Sequence, residues 1–345
     1  MRVLVANAGS SSLKLSLLDA DDRELWSCER TAPRAVVEAG VVAAALAELP
    51  AIPDVAGHRI VHGGERFRDA VVVDDHVEAE LRELTALAPL HQPKSLAALD
   101  AVRRALPNVP EVACFDTAFH ATLPPDAATY ALPREWRERY GVQRYGFHGL
   151  SHAYAARAAG DARRVVTCHL GAGASLCAVL DGRSVDTTMG FTPLEGLVMA
   201  TRSGSVDPGL LLWLQQHEGL GVDDMAEALE HASGLLGLAG TSDMRELLER
   251  ADPDAELALG VYVHRLRAGI AAMAASLGGL DALVFTGGVG ENAARVRELA
   301  CDGLGHLGVG IPGSPVRVLT VGAREDLEIA RQARALLSEQ GLEQL

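Results

Sequence analysis

At 345 residues, 48 % hydrophobic and 4 % aromatic with 35 glycines, the chain can bury a sizeable core and lacks the biased composition of disordered or fibrous proteins. Its formal net charge of -15 argues against a nucleic-acid partner or an anionic membrane surface, since both need broad positive potential to displace counterions. Five scattered cysteines with no CxxC suggest neither a zinc site nor a disulfide framework and fit a cytoplasmic protein, and neither a signal-peptide core nor a membrane-length apolar run is expected.

In chain order, VLVA runs into the polar island NAGSSSLK, Asn7 to Lys14, and the apolar alternation resumes at once in LKLSLL. Helical periodicity follows over Val36–Leu49, then the strand-like GHRIVH. Helices are expected over Val77–Leu87 and Lys94–Leu106, separated by the Pro89 to Pro93 break. Further strand-like runs are EVACF, RVVTCHL, SLCAVL, ALVFTGG and VRVLTV, with helices over Glu256–Leu277 and Asp326–Glu339. Strands alternating with helices indicate α/β, and the length favours two domains over one large one.

VLVANAGSSSLKLSLLD from Val3 aligns without gaps on VVTCHLGAGASLCAVLD from Val165, with Val, Gly, Leu and Asp matched at Val3/Val165, Gly9/Gly171, Leu18/Leu180 and Asp19/Asp181. Both read as strand, glycine-containing turn, strand, which points to an internal duplication. A glycine-rich hairpin tip can aim backbone N–H groups at a phosphate, although alone it reads equally as a solvated turn; neither tip has the GK[ST] ending of a Walker loop. VFTGGVGEN, from Val284, reads as a strand and tight turn with a helix starting near Glu291, whereas GLGHLG, Gly303 to Gly308, follows a helix and is read as a loop.

Arg59 and Arg202 stand among glycines and small residues, where a guanidinium suits a carboxylate or phosphoryl group; a surface ion pair is the alternative. His148 and His152 have an i, i+4 spacing but lack the Glu of HExxH, so a donor near developing charge is favoured over zinc. Asp116 directly follows a strand, as a functional carboxylate or as a helix cap.

Taken together, NAGSSSLK, HRIVHGGE, FDTAFH, YGFHGLSH, HLGAGAS, TPLEG, TRSG, SDMRE, TGGVGEN and REDLEIAR, in this order, resemble the acetate kinase family of the actin, Hsp70 and sugar kinase superfamily. The resemblance implies a duplicated ribonuclease-H-like fold around a nucleotide cleft, with residues 1–119 plus 326–345 forming one domain and 120–325 the nucleotide-binding domain. It implies a homodimer and reversible transfer of the ATP γ-phosphoryl to acetate, with Mg2+ or alternatively Mn2+ and with ATP/ADP as co-substrate. By resemblance Asp116, His148 and Arg202 are catalytic, Arg59 holds the substrate carboxylate, and Val61, Leu90, Phe147 and Pro193 surround its methyl group. The metal region takes Asn7 and Glu325. Nucleotide contacts fall on Lys14, on His169, Leu170, Gly171, Ala172 and Gly173, on Asp243, Met244 and Arg245, and on Gly288, Val289, Gly290, Glu291 and Asn292. Three departures bear on these assignments: Ala172 and Ala174 replace the family's usual Asn and Ser, Ser205 replaces Asp, and the chain is shortened between Lys14 and Arg59 and between Asn292 and Glu325. The alternatives are a propionate or other short-chain acyl kinase, a different phosphoryl donor, or a non-catalytic nucleotide-dependent regulator on the same scaffold.

Overall fold

The computed structural model describes residues 1–9, 12–31, 39–89, 91–339 and 341. The chain separates into two compact units, one comprising Met1–Ala121, Gly149–Tyr154 and Arg324–Leu345, the other Thr122–His148 and Ala155–Ala323. Among the described residues, no helix is long and apolar enough to cross a membrane.

The first unit is built on β1 (Val3–Ala8), β2 (Ser12–Leu18), β3 (Glu24–Thr31), β4 (Val55–Ile60), β5 (Val71–Val72) and β6 (Glu111–Phe115). They form one sheet in the order β3-β2-β1-β4-β6-β5, in which β1, β4 and β6 are parallel and the remaining neighbours antiparallel. Successive side chains of a strand point to opposite faces, and the apolar residues obey this closely. Leu4, Ala6 and Ala8 pack with Leu13, Leu15 and Leu17 beneath the helices Ala39–Leu46 and Gln92–Ala105. Val3, Val5, Val55, Val112 and Cys114 pack on the other face against Ile329, Ala330, Ala333 and Leu337 of the helix Glu325–Glu339. That face continues, by the same alternation, to Asn7 on β1, Arg59 on β4 and Asp116 just beyond β6.

The helical expectations are met with local shifts. Residues 36–38 lie outside the described residues, and the helix there is seen from Ala39. The Val77–Leu87 pattern is an α-helix over Asp75–Glu83, capped by Asp74 accepting from Val77 N–H at 2.7 Å, followed by a 3-10 turn over Leu84–Leu87. Pro93 does not end a helix; it sits in the first turn of Gln92–Ala105, where its missing N–H costs nothing.

The second unit contains β7 (Arg164–Leu170), β8 (Ala174–Leu180), β9 (Arg183–Thr187), β10 (Ala282–Thr286) and β11 (Arg317–Thr320), ordered β11-β10-β7-β8-β9. This reproduces the order and directions of β6-β4-β1-β2-β3. The pairing is not an exact copy, however. Val3 pairs with Leu18 and Asn7 with Lys14, whereas Val165 pairs with Val179 and His169 with Ser175. The gapless sequence match would have paired His169 with Leu176, so the second hairpin has slipped by one residue. Because strand side chains alternate, the slip sets a hydroxyl beside His169 where the first hairpin sets an ammonium beside Asn7. The GLGHLG segment holds a 3-10 turn over Gly305–Leu307 and is not the opening of a dinucleotide site.

A Cβ added at Gly57 of β4 would lie 2.6 Å from Ile329 Cγ2 in the buried seam beneath Glu325–Glu339. Gly57→Ala is expected to destabilise the protein by about 1–3 kcal/mol through overpacking. Scanning calorimetry measures it, and an unshifted melt would show that the seam yields freely.

Candidate active site

In the first unit, β1, β4 and β6 bring three polar side chains to the same face at one end of the sheet, and the first turn of Glu325–Glu339 adds a fourth. Arg59 Nε donates to both Asp116 oxygens at 3.0 and 3.1 Å, and Nη2 donates to Oδ2 at 2.6 Å. Its Nη1 donates to Asn7 Oδ1 at 3.3 Å and lies 3.7 Å from Glu325 Oε2. Asn7 Nδ2 closes the set by donating to Glu325 Oε2 at 2.7 Å. Only 14 % of the Arg59 side chain and 2 % of that of Asp116 is exposed, so this pair is largely removed from solvent screening. Burial pushes the Asp116 carboxyl upward, assisted by Glu325 and opposed by Arg59. Burial also works against the Arg59 charge, but Asp116 and Glu325 outweigh it and hold the proton more firmly than usual. Both Asp116 oxygens accept from a guanidinium that keeps its protons, so the pair is ionic. Two carboxyl groups and the Asn7 amide oxygen thus surround one guanidinium.

The neighbouring loops are tied from within. Gly9 N–H is donated to Ser12 O at 2.8 Å, so this amide closes the first hairpin tip rather than facing outward; Ser10 and Ser11 lie outside the described residues. Lys14 is exposed on β2 and lies 3.8 Å from Glu29. Val61 is buried two residues past Arg59, while Leu90 lies outside the described residues. The buried Gln92 spans the loop after β4, accepting from His62 N–H at 3.1 Å and donating to His62 O at 3.1 Å. Asp116 does not cap a helix by its side chain; Arg59 occupies its carboxylate, while its carbonyl accepts from Gly149 N–H at 2.8 Å.

The second unit assembles a different group around its hairpin tip. His148 has a left-handed backbone, φ 58°, and its Nδ1 lies 2.9 Å from Ser175 Oγ. Its ring centroid is 4.3 Å from that of His169. Arg202 Nη1 donates to Pro193 O at 2.9 Å, and its Nε lies 3.5 Å from Glu230 Oε2. Burial lowers the Arg202 pKa, with Glu230 acting in the opposite sense. A Cβ built on Gly173 would be 3.2 Å from His148 Nε2 and 3.6 Å from Arg202 Nη1, so an imidazole nitrogen and a guanidinium both border this glycine. Gly171 N–H, like that of Gly9, is spent inside its loop, on Gly173 O at 2.9 Å. Leu170 is buried at the end of β7, Ala172 accepts from Ala200 N–H through its carbonyl at 3.1 Å, and Phe147 is buried beside His148. The i, i+4 spacing of His148 and His152 divides between the two units: His152 belongs to the first, buried with its ring 5.7 Å from that of His120.

Two further expected segments lie in the second unit. The glycine stretch after β10 is itself helical over Gly287–Asn292, so the helix opens four residues earlier than Glu291. Gly287 has φ 79°, and a Cβ there would be 2.7 Å from Leu170 O, which permits only glycine at this approach. Within that helix Gly288 O accepts from Asn292 Nδ2 at 2.9 Å, Val289 O caps the end by accepting from Ala293 N–H at 2.9 Å, and Gly290 O accepts from Arg297 Nη1 at 2.8 Å. Glu291 Oε1 accepts from Ala323 N–H at 2.8 Å. Asp243 caps the helix Met244–Glu249, whose first residue Met244 is buried. Arg245 folds back onto Asp243 at 2.7 Å, and that hydrogen bond is the main cause holding the exposed carboxyl down at about 2.

Residues 41–325 match the profile of the acetokinase family. The chain belongs to this family. The acetate kinase of Clavibacter michiganensis is 45 % identical over an alignment covering 96 % of this chain and 98 % of that protein. Among solved structures, the acetate kinase of Porphyromonas gingivalis superposes with a TM-score of 0.87 at 35 % identity, covering 97 % of this chain and 99 % of the other. A propionate kinase from Francisella tularensis gives 0.86 at 32 % identity, covering 96 % and 98 %. A ROK hexokinase from Thermus thermophilus, at 16 % identity and a TM-score of 0.50 over 98 % of this chain and 100 % of its own, shares the fold alone. The fold is the duplicated ribonuclease-H-like α/β fold of the actin, Hsp70 and sugar kinase group, and the family makes the chain a phosphotransferase with a carboxyl acceptor.

Three side chains in these groups escape a reading of the sequence. Ser175 is hidden by the one-residue slip, since the gapless match places Leu176 opposite His169. Glu230 sits in an ordinary amphipathic helix, Val222–His231, and Gln92 at a helix start; neither carries a motif. Only the proline after Gln92 hinted at a fixed chain entry.

Removing Arg59 while leaving Asp116 strands a buried carboxylate. Arg59→Ala is therefore expected to cost about 3–5 kcal/mol of stability, with the Arg59→Ala/Asp116→Ala double variant more stable than the single one. Calorimetric melts decide it, and a double variant weaker than the single would refute the ionic pair.

Proposed function

We propose that the chain is an acetate kinase catalysing reversible, Mg2+-dependent transfer of the ATP γ-phosphoryl to acetate, giving acetyl phosphate and ADP by direct in-line transfer. The observation that carries this reading is the convergence of His148 Nε2 and Arg202 Nη1 over Gly173 in a glycine-rich hairpin. Such donors suit the spread of charge on a transferring phosphoryl group, where fixed dipoles act most strongly.

Acetate is already a carboxylate at neutral pH and needs no general base. Asp116 fits that chemistry, since Arg59 engages both of its oxygens and the carboxylate orients the guanidinium. Arg59 has five N–H groups, three of them engaged by Asp116 and Asn7, and the other two are assigned to the substrate carboxylate. Val61, Leu90, Phe147 and Pro193 are assigned to its methyl group, with the tolerance of one extra methylene that apolar pockets show.

The oxygens of Asn7 and Glu325 are of the kind that suits Mg2+, which usually takes only one or two carboxylates from a protein and completes its shell with water and phosphates. Bound there with the nucleotide, Mg2+ would neutralise phosphate oxygens. Among the described residues no cluster of three His, Cys, Asp or Glu forms a protein-only cage, in keeping with a metal held jointly with nucleotide. His169 to Gly173, Asp243 to Arg245, and Gly288 to Asn292 are assigned to ATP or ADP, with Lys14 assisting. Because Ala172 offers only backbone polar groups, donor choice rests on the backbone at this tip. The likeness to the propionate kinase favours propionate as a second acceptor.

We also assign a homodimer in the cytoplasm. Leu210, Leu212 and Trp213 of one short helix are 47, 57 and 46 % exposed, with Val222 at 72 %, more apolar surface than a short solvent-facing helix warrants. All five cysteines are free thiols, as a reducing compartment maintains them.

Hydroxylamine trapping of acyl phosphate is expected to rank acetate above propionate above butyrate with ATP as donor. Running GTP and pyrophosphate beside ATP tests the donor, and no product with any pair would sink the kinase assignment. Light scattering is expected to give a dimeric mass that falls to the monomer in Leu212→Glu/Trp213→Glu; a monomeric wild type would remove the dimer.

A further inference from the structure

The second unit contains a polar cluster that is not among the assigned substrate contacts. Glu195 receives the Tyr130 hydroxyl on one carboxylate oxygen and Arg144 Nη2 on the other at 2.7 Å. Arg144 Nη1 donates onward to Thr188 O at 3.2 Å and Met189 O at 3.0 Å, and its guanidinium lies 5.4 Å from the Tyr130 ring centroid. Tyr130 Oη in turn accepts from Phe191 N–H at 3.0 Å. At the centre is Gly190, whose carbonyl accepts from Tyr145 N–H at 3.1 Å and Gly146 N–H at 3.2 Å. A Cβ at Gly190 would lie 1.8 Å from Glu195 Oε2 and 2.0 Å from Tyr130 Oη, so the cluster closes only around glycine.

These bonds join two chain segments of consequence. Arg144 to Gly146 lead directly into His148. Thr188 to Glu195 contain Pro193, whose carbonyl receives Arg202 Nη1 at 2.9 Å. Gly196, next after Glu195, exchanges backbone and side-chain hydrogen bonds with Ser205, three residues past Arg202. The cluster therefore fixes the separation between the support of His148 and the support of Arg202.

We propose that Tyr130, Arg144 and Glu195 are positioning residues that hold Arg202 and His148 in register for phosphoryl transfer. The proposal rests on the catalytic reading of those two side chains. Stability alone gives little reason for a partly buried ionic cluster, because apolar packing of similar volume serves as well or better. A fork of directed hydrogen bonds, by contrast, fixes distances, and a misplacement of about 1 Å can cost about a hundredfold in rate.

The test is a double-variant cycle in kcat, with KM for acetate and ATP measured alongside and calorimetric Tm as control. Tyr130→Phe removes the hydroxyl yet keeps the ring, and Glu195→Gln keeps the shape and removes the charge. Each is expected to lower kcat about tenfold or more while changing either KM by less than about twofold. On an Arg202→Ala background the same changes are expected to have little further effect, because what they set is the register of His148 against Arg202, and that register loses its consequence once Arg202 is absent. A lowered Tm with unchanged kcat would overturn the proposal, as would equal kcat losses with and without Arg202. Full activity in Arg202→Ala by itself would instead refute the catalytic reading of Arg202 beneath it.

Discussion

The Arg59–Asp116 ion pair is the constraint around which the first unit is arranged. Two charges that are almost wholly desolvated hold together only if geometry and further hydrogen bonds repay their lost hydration. The fold supplies that geometry through strand alternation: the same parity that buries Val5, Val55 and Cys114 puts Asn7, Arg59 and Asp116 in one row. The helix beginning at Glu325 then packs its Ile329 against Gly57, two residues before Arg59, so the apolar seam and the charged row are set by one docking event.

The second unit reaches a comparable concentration of polar groups by different means. Its donors come from loops rather than from neighbouring strand ends, and loops need bracing. His148 carries a left-handed backbone, a conformation that costs a residue with a Cβ roughly 1–3 kcal/mol and persists only where its surroundings impose it. Ser175 and His169 hold its ring, and Pro193 and Glu230 hold Arg202. Gly173 leaves free the space that both side chains border.

Much of this was legible in the sequence, for identifiable reasons. Alternating apolar runs marked the strands, and the repeated hairpin exposed the duplication because it preserved a glycine between two strands of similar length. Glycine-flanked Arg59 and Arg202 stood out because a charge among small residues invites a purpose. What stayed hidden depended on long-range placement. An arginine partner for Asp116 was one reading the sequence allowed, beside a metal or a base role, but nothing local singled out Arg59, 57 positions away, as the group that takes both of its oxygens. The amides of Gly9 and Gly171 looked available from composition, yet each closes its own turn. Glu195 carries a motif but no local hint of Tyr130 or Arg144 as partners.

The slipped hairpin shows how a duplicated scaffold acquires asymmetry at small expense. Shortening one turn by a single position leaves both strands in the sheet and the core filled, yet exchanges every cross-strand neighbour on one side. Such a change needs no new secondary structure and no better side chain; it presents residues that already existed to a new audience. Where two halves of a molecule descend from one, comparing which residues face each other across a turn reveals divergence that an ungapped alignment conceals.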